Sequence, residues 1–395
     1  MNNNKVSDNN IYVLESQKCT GCSVCSVICN QKAITLDYDD EGYAYPKLDS
    51  SKCINCGLCV KKCPIINVNN ENYKYEKKYY IGNSKNQEML RASASGAIFA
   101  ELAYKAIENK YYISGAVYSQ DFHRVYHIVS NNLESINGMR GSKYCKSDAW
   151  PIYYEILNLV KMGNKVVFSG VGCECAAVRK ICENYLDNIL LVQIICKGGL
   201  SPLVLDECLK WYEIQKNQKI KFFSMRHKEK AAVPAYEYIK FEESDKALKK
   251  PYYESVHGKL FASNALLRKS CYHCNFRGDG LVGDIILGDA VEHLKVPNSV
   301  LGCSTVVVNS KKGEKYLSDI ELNLICIDED DAKKQCRRLV TDPHKPLFVG
   351  RERIFKILRD VTSTQEEMTK YINKKRWIIR MQQKAWKIID NWKSR

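Results

Sequence analysis

Thiols at metal-ligand spacing are the chain's most chemical feature. Eight of the 19 cysteines fall in two runs, CTGCSVCSVIC (Cys19, Cys22, Cys25, Cys29) and CINCGLCVKKCP (Cys53, Cys56, Cys59, Cys63). Both read C-x2-C-x2-C-x3-C. Three sulfurs that face one inorganic cube need tight turns, and Gly21 and Gly57 stand inside them. Two zinc knuckles would leave the third cysteine of each run unexplained. A further pair, Cys271 and Cys274 in SCYHCNF, has no second pair beside it. A four-thiolate site there must draw two more ligands from distant sequence. Most of the other cysteines read as small buried hydrophobes.

The elements that could supply those ligands are strands. KVVFSG and NILLVQIIC are short apolar runs, and the residues between them (175–183) read as a helix. In one sheet such a strand, helix, strand unit is parallel and right-handed, so both strands end at the same rim, where open α/β sheets bind ligands. Cys173 follows the first strand and Cys196 closes the second, which makes Cys173, Cys196, Cys271 and Cys274 a candidate four-iron site. Ser201 and Pro202 cap and open the next helix. Upstream, RASASGAIFAELAYKAIE turns from small residues to helical apolar spacing, so Ser93, Ser95 and Gly96 lie at a helix N-terminus beside Arg91. That is a place suited to phosphate, although an ordinary capped helix has the same look. AITLDYDDEGYAYPKL, between the two cysteine runs, reads as a hairpin.

Composition bounds the rest. With 395 residues and 45% apolar content the chain can hold two domains and a proper core. No stretch approaches the roughly 18 consecutive apolar residues of a spanning helix, and MNNNKVSDNN has no apolar leader, so a cytoplasmic protein is expected. The formal charge of +15 is concentrated in the tail, where Lys370–Arg395 carries nine Lys or Arg against Asp390 alone. Nucleic-acid binding by the main body is therefore not expected. The tail's apolar residues recur every seven (Ile372, Ile379, Trp386), giving a basic amphipathic helix. It could lie on an anionic membrane, dock on a partner or pack on its own domain.

The N-terminal repeat resembles the bacterial two-cluster ferredoxin, in which the first three cysteines of each run hold one cluster and the fourth reaches across to the other. The resemblance implies one 4Fe-4S cluster on Cys19, Cys22, Cys25 and Cys63, and a second on Cys53, Cys56, Cys59 and Cys29. From about residue 79 to 360 the chain is similar to the beta-subunit family of coenzyme F420 hydrogenases and dehydrogenases. The matching stretches are RASASGAIF, GAVYSQDFHRVYHIV, GMRGSKYCKS, VVFSGVGCECAAVRK, IICKGGLSP and SCYHCNFRGDGLVGDIILGDA, in family order. Members are iron–sulfur flavoproteins. The resemblance implies a third four-iron cluster on Cys173, Cys196, Cys271 and Cys274, next to FAD. It also implies FAD contacts from Arg91, Ser93, Ser95 and Gly96, and from Gly141, Ser142, Lys143, Tyr144 and Ser147. Lys197 stands where relatives carry a histidine, so the substrate need not be F420.

The expected architecture is an α+β ferredoxin-like domain (1–70), an α/β domain with a partly parallel mixed sheet (79–360), and the basic C-terminal helix (366–395), with a polar linker near 71–78. The expected function is an FAD-dependent iron–sulfur oxidoreductase coupling single electrons to hydride chemistry on a small molecule or glycan-related intermediate. The alternatives are a non-catalytic electron-relay subunit of a larger redox complex, or an F420-dependent enzyme. Ferredoxin, F420 or another reductant would be the redox partner. Asp284, Asp289 and Lys197 are the candidate proton donors, although DIILGD also reads as a buried strand bounded by turn-forming aspartates.

Overall fold

The computed structural model describes residues 9–67, 75–290, 295–340, 350–360, 366–375, 378 and 381. Its strands are, in chain order, β1 (Ile34–Tyr38), β2 (Ala44–Leu48), β3 (Lys78–Ser84), β4 (Tyr112–Tyr118), β5 (Val125–Ser130), β6 (Val166–Val171), β7 (Ile189–Ile194), β8 (Ile220–His227), β9 (Tyr236–Phe241), β10 (Leu248–Pro251), β11 (Ile285–Asp289), β12 (Ser304–Val308) and β13 (Leu322–Ile327). β1 and β2 form the expected antiparallel hairpin between the two cysteine runs. β8, β9 and β10 make a separate three-stranded sheet.

The remaining eight strands form one mixed sheet in the order β13-β3-β12-β11-β7-β6-β4-β5. Its centre is parallel: β4 with β6, β6 with β7, and β7 with β11. β12 runs antiparallel to β11 and β3 antiparallel to β12. The central strands are near-continuous apolar runs because both faces are covered, as parallel sheets require. On one face the helix Ile98–Glu108 buries Ile98, Leu102, Ala103 and Ala106 against Val192, Ile285 and Val306. On the other, the helices Tyr153–Lys161 and Gly172–Ile181 pack Ile156 and Val178 on Phe168 and Leu191. Val24 and Val27, from the short helix between Cys22 and Cys29, join that second layer, so the N-terminal region is docked on the sheet's helical face.

The strand directions decide where chemistry can sit. The carboxyl ends of β4, β6, β7 and β11 share one rim, and antiparallel pairing puts the start of β12 and the end of β3 there as well: Asp289 opposes Ser304, and Ser304 opposes Gly82. The turn before the Ile98 helix closes on the same place, its Gly96 carbonyl accepting the Ser84 N–H. Next to the rim cysteines, the helices Pro202–Lys216 and Val256–Ser263, the helix Arg351–Arg359 and the helical residues 366–375 enclose a further apolar core that includes Leu260, Leu266 and Ile354, with Cys271 packed against it. Ser201 caps the Pro202 helix as expected, accepting the Leu203 N–H at 3.1 Å.

The start of the basic tail packs on its own domain, with Met368 and Ile372 buried in that core; most of 376–395 lies outside the described residues. Of the expected linker, residues 71–74 lie outside them too, and the Tyr75 hydroxyl donates to Glu314 at 2.6 Å. No helix among the described residues is long and apolar enough to cross a membrane.

Candidate functional site

The first cysteine run wraps a cavity. Gly21 and Ser23 both take positive φ (+64°), as do Asn55 and Gly57 in the second run, and these left-handed residues turn backbone N–H groups inward. The Gly21 N–H points at Cys19 Sγ (3.4 Å) and the Ala33 N–H at Cys29 Sγ (3.4 Å). Cys19, Cys22, Cys25 and Cys63 line a cavity of about 350 Å³ with Ile11 and Leu14. Cys63 has thus crossed from the second run to the first. Burial pushes the Cys22 thiol up to about 11, with Cys19 and Cys63 adding to the rise. Thiols so placed shed their protons only to a metal, and a donor set of four soft sulfurs at an apolar, N–H-lined cavity fits a four-iron cluster. In the other set Cys59 feels Cys56 and Cys53, and Cys29 packs on the same apolar cluster as Cys59. That set reaches solvent, because Cys56 is exposed.

At the sheet rim Cys271 and Cys274 lie within electrostatic reach of both Cys173 and Cys196. Cys173 lies in the first turn of the helix Gly172–Ile181 rather than in a loop, and Cys196 follows β7 by two residues. Cys271 sits in the 3-10 turn Lys269–His273, which Cys274 ends. Burial raises the Cys173 thiol well above its ordinary value, and the neighbouring Cys274 and Cys271 raise it further. Burial pushes Cys196 up to about 12, with Cys271 and Cys274 again contributing. The Gly198 N–H donates to Cys196 Sγ at 3.2 Å, and Lys146 Nζ lies 3.8 Å from Cys173 Sγ. Lys146 is itself held by Glu174 at 2.6 Å. Behind it His127 bridges the Ser147 hydroxyl (2.7 Å) and the Ser169 carbonyl (3.0 Å). Four sulfurs, a backbone donor and a paired cation fit a cluster here as well.

The two cysteine sites share a wall. Tyr153, 1% exposed, lies within electrostatic reach of both Cys22 and Cys173. Arg268, three residues before Cys271, crosses to the N-terminal region and donates to the Cys19 carbonyl at 2.8 Å. The Tyr43 hydroxyl, from the β1–β2 turn, reaches the Leu266 carbonyl (2.6 Å) and the Gly199 carbonyl (3.1 Å).

Beyond Cys196 the rim gathers part of the expected flavin set. Ser95 donates to the Cys303 carbonyl at 2.5 Å, and the Gly96 N–H donates to Ser304 Oγ at 3.0 Å. Gly96 leaves no room for a side chain, since a Cβ would lie 2.6 Å from the Gly82 carbonyl oxygen. Asp289 pairs with Arg226 at 2.5 Å, and the same guanidinium donates to the Tyr144 hydroxyl at 3.3 Å. The Tyr144 ring stacks on Phe261, centroids 4.2 Å apart. Two residues on, the Lys228 ammonium donates to the carbonyls of Leu90 (3.0 Å), Ser95 (2.7 Å) and Leu301 (2.6 Å), fastening the serine turn. Lys197 lies over Phe261 at 4.8 Å and donates to its carbonyl at 2.7 Å. Ser93 is buried nearby with an unpartnered hydroxyl.

Other candidates are turned to structural work. Lys143 caps the carbonyls of Met139, Arg140 and Gly141, and Ser147 is spent on His127. Arg91 is exposed and only grazes the Glu229 carbonyl at 3.5 Å. Gly141 has positive φ and open space around it, and Ser142 serves the Tyr144 hydroxyl. Asp284 is not at the rim. It lies at the opposite end of β11 from Asp289, where its oxygens accept the Leu191 N–H (2.8 Å) and the Ser310 hydroxyl (2.7 Å). Expecting it beside a flavin placed both ends of one strand at one site, which a strand rising about 3.3 Å per residue forbids. Arg226 and Lys228 were missed: RHKEK at the end of β8 reads as surface charge until the fold aims alternate residues at the rim.

Comparison with known proteins bears on both halves. Residues 18–66 match the 4Fe-4S dicluster domain, and residues 163–332 match the family described as the C terminus of the coenzyme F420 hydrogenase/dehydrogenase beta subunit. Residues 163–332 are thus similar to the C-terminal part of coenzyme F420 hydrogenase/dehydrogenase beta subunits, and residues 18–66 form a 4Fe-4S ferredoxin-like region at the N-terminal end. The NADH-quinone oxidoreductase subunit I 2 of Geobacter metallireducens is 38% identical over 53 residues, covering 12% of this chain and 40% of that relative. The chain thus spans about two fifths of the length of the curated relative it matches. A chain of the F420-reducing [NiFe] hydrogenase complex from Methanosarcina barkeri is similar over 75% of this chain and 91% of its own, at 18% identity and a TM-score of 0.43.

Proposed function

We propose that this chain is an electron-relay oxidoreductase of the F420 hydrogenase/dehydrogenase beta-subunit family that works with a redox partner such as ferredoxin or F420. It would hold three four-iron clusters, on Cys53, Cys56, Cys59 and Cys29 at the surface, on Cys19, Cys22, Cys25 and Cys63 within, and on Cys173, Cys196, Cys271 and Cys274 at the sheet rim. Beside the last set, Ser93, Ser95, Gly96, Tyr144, Arg226 and Lys228 would hold FAD. When bound together, such groups supply exchange between single electrons and hydride equivalents.

The chain's own residues do the positioning. Lys228 fixes the serine turn by three carbonyls, and Arg226 orients both Tyr144 and Asp289. Arg226 holds Asp289 Oδ2 and leaves Oδ1 to give or take a proton, with a half-exposed carboxylate open to exchange with water. The Lys197 ammonium is held by the carbonyls of Phe261 and Ala262.

The observation that carries this reading is the meeting of Cys173 and Cys196 with Cys271 and Cys274, one shared wall away from Cys22. The relay with F420 or ferredoxin is preferred to a glycan-related substrate because the family's name supports a redox role, while nothing at the rim favours a sugar. Anaerobic purification with iron, sulfide and flavin quantitation tests it. About twelve irons and one flavin per chain are expected, falling to about eight irons in Cys271→Ser/Cys274→Ser. Eight irons in the wild type would remove the third site, and a flavin-free chain of twelve irons would leave only the relay.

A further inference from the structure

Arg268 is a buried cation without a carboxylate. It is 2% exposed, and no acidic side chain among the described residues pairs with it. Nε donates to the Cys19 carbonyl at 2.8 Å and Nη2 to the Ala44 carbonyl at 2.8 Å, and Nη2 lies 4.0 Å from Cys19 Sγ. The guanidinium stacks on Tyr45, 4.0 Å from the ring centroid, and packs so tightly on Gly21 that a Cβ there would come within 2.9 Å of it. Lys146, of the same α/β region, is within electrostatic reach, but it is a like charge already paired with Glu174.

Burying an unpaired guanidinium is costly, and folds tolerate it when an anion completes the site. Here the anion is not a side chain. Four thiolates around a four-iron cube carry net negative charge, and reduction by one electron makes that charge larger by one. A fixed cation against one of the four sulfurs favours the reduced form over the oxidised one, in a medium where charges are weakly screened. The exposed set has no such neighbour: Cys56 faces solvent, and among the described residues no buried lysine or arginine bonds to it.

We propose that Arg268 is a positioning and redox-tuning residue that supplies the counter-charge of the Cys19 cluster, raising its midpoint potential and drawing an electron inward from the exposed set. The electron comes from a low-potential one-electron donor, the cluster on Cys19, Cys22, Cys25 and Cys63 gains it, and no proton moves because the guanidinium stays charged throughout. The same arginine belongs to the segment that carries Cys271, so the bias falls on the side of the molecule that faces the rim. The inference rests on the dicluster region alone. A chain that loads only eight irons, and so lacks the third site, still tests it.

The experiment is a redox titration of the full, anaerobically purified chain with dithionite, followed by electron paramagnetic resonance. Cys56→Ser alters the exposed set and so assigns the two N-terminal signals. In Arg268→Gln the ratio of reduced to oxidised Cys19 cluster at fixed potential should fall by about tenfold, equal to 59 mV for a one-electron couple. The exposed cluster should change by less than about threefold, and Arg268→Lys, which keeps the charge, should restore most of the ratio. Should Arg268→Gln fail to load iron, Tyr45→Glu leaves Arg268 and its carbonyl bonds in place while setting a carboxylate against it. The same downward shift is expected there, and none in Tyr45→Gln. Unmoved potentials in the loaded variants, or equal movement of both signals, would overturn the assignment.

Discussion

The contact between the N-terminal region and the core can be weakened at one ion pair, Glu41 with Arg351. Glu41 sits in the β1–β2 turn, and both its oxygens accept from the Arg351 guanidinium at 2.7 Å. The side chains are 17% and 7% exposed. Arg351 also donates to the carbonyls of Ala265 (3.0 Å) and Leu267 (2.7 Å), so it ties the hairpin to the segment leading to Arg268. Removing one partner of a buried pair costs about 3–5 kcal/mol. The low end applies here, since Glu41 is partly wet and Arg351 keeps two carbonyls. About 3 kcal/mol corresponds to roughly a hundredfold in the opening equilibrium. In Glu41→Ala, amides of residues 42–46 and 265–268 should therefore exchange with deuterium about a hundredfold faster, measured by mass spectrometry on the anaerobic protein. Arg351→Met in the same chain should recover much of the loss, because no charge is then stranded. Burial alone would raise the Glu41 carboxyl, but the paired guanidinium outweighs it and holds the carboxyl below the usual range. A depressed folded value means stabilisation that is full above the unfolded value of about 4.3 and lost as pH falls through the folded one. Exchange less than about threefold faster, or a double variant as open as the sum of the singles, would refute this account.

Two further outcomes follow from buried polar groups. Asp284→Ala strips partners from the buried Leu191 N–H and from Ser310, so the guanidinium chloride midpoint of the circular dichroism signal should fall by the equivalent of about 2 kcal/mol. Flavin and iron content per folded chain should be unchanged. Burial pulls the Lys228 ammonium down to about 7, whereas an unfolded lysine titrates near 10.4. Between those values the unfolded chain binds the extra proton, so this group makes stability rise with pH from about 7 towards 10. Lys228→Met should flatten that part of the pH–stability profile, read by denaturant titrations at pH 7 and 9.

Much of the scaffold was legible in the sequence because the signals were local. The hairpin, the Ser201–Pro202 cap and the strand, helix, strand unit each rest on a few adjacent residues, and the parallel rule then carried Cys173 and Cys196 to one rim. The long-range polar contacts were not legible. Arg226 meets Asp289 across 63 residues and Arg268 meets Cys19 across 249, and no spacing rule reaches that far. Asp284 failed for the opposite reason: its neighbourhood in sequence was right, but five residues of extended chain separate it from Asp289, and only one end of a strand can face the rim.

The distribution of charge explains why the N-terminal region sits where it does. A ferredoxin-like unit could pack through apolar contacts alone, and Val24 and Val27 do so. Yet several of the polar ties between the two parts (Arg268 to Cys19 and Ala44, Tyr43 to Leu266, and Arg351 to Glu41, Ala265 and Leu267) converge on the segment 265–268 just before Cys271, while Tyr154 to Val27, Tyr38 to Asp148, Ser201 to Glu41 and Lys62 to Glu183 fasten the region at other points. Hydrogen bonds to fixed carbonyls constrain direction as well as distance, which sliding apolar surfaces do not. In the proposed relay, the stretch of chain that ties the two regions together would contribute ligands to one site and a cation to the other. A distance between redox sites is only useful if it does not fluctuate, and in the proposed relay these ties would clamp it between the Cys19 set and the rim cysteines.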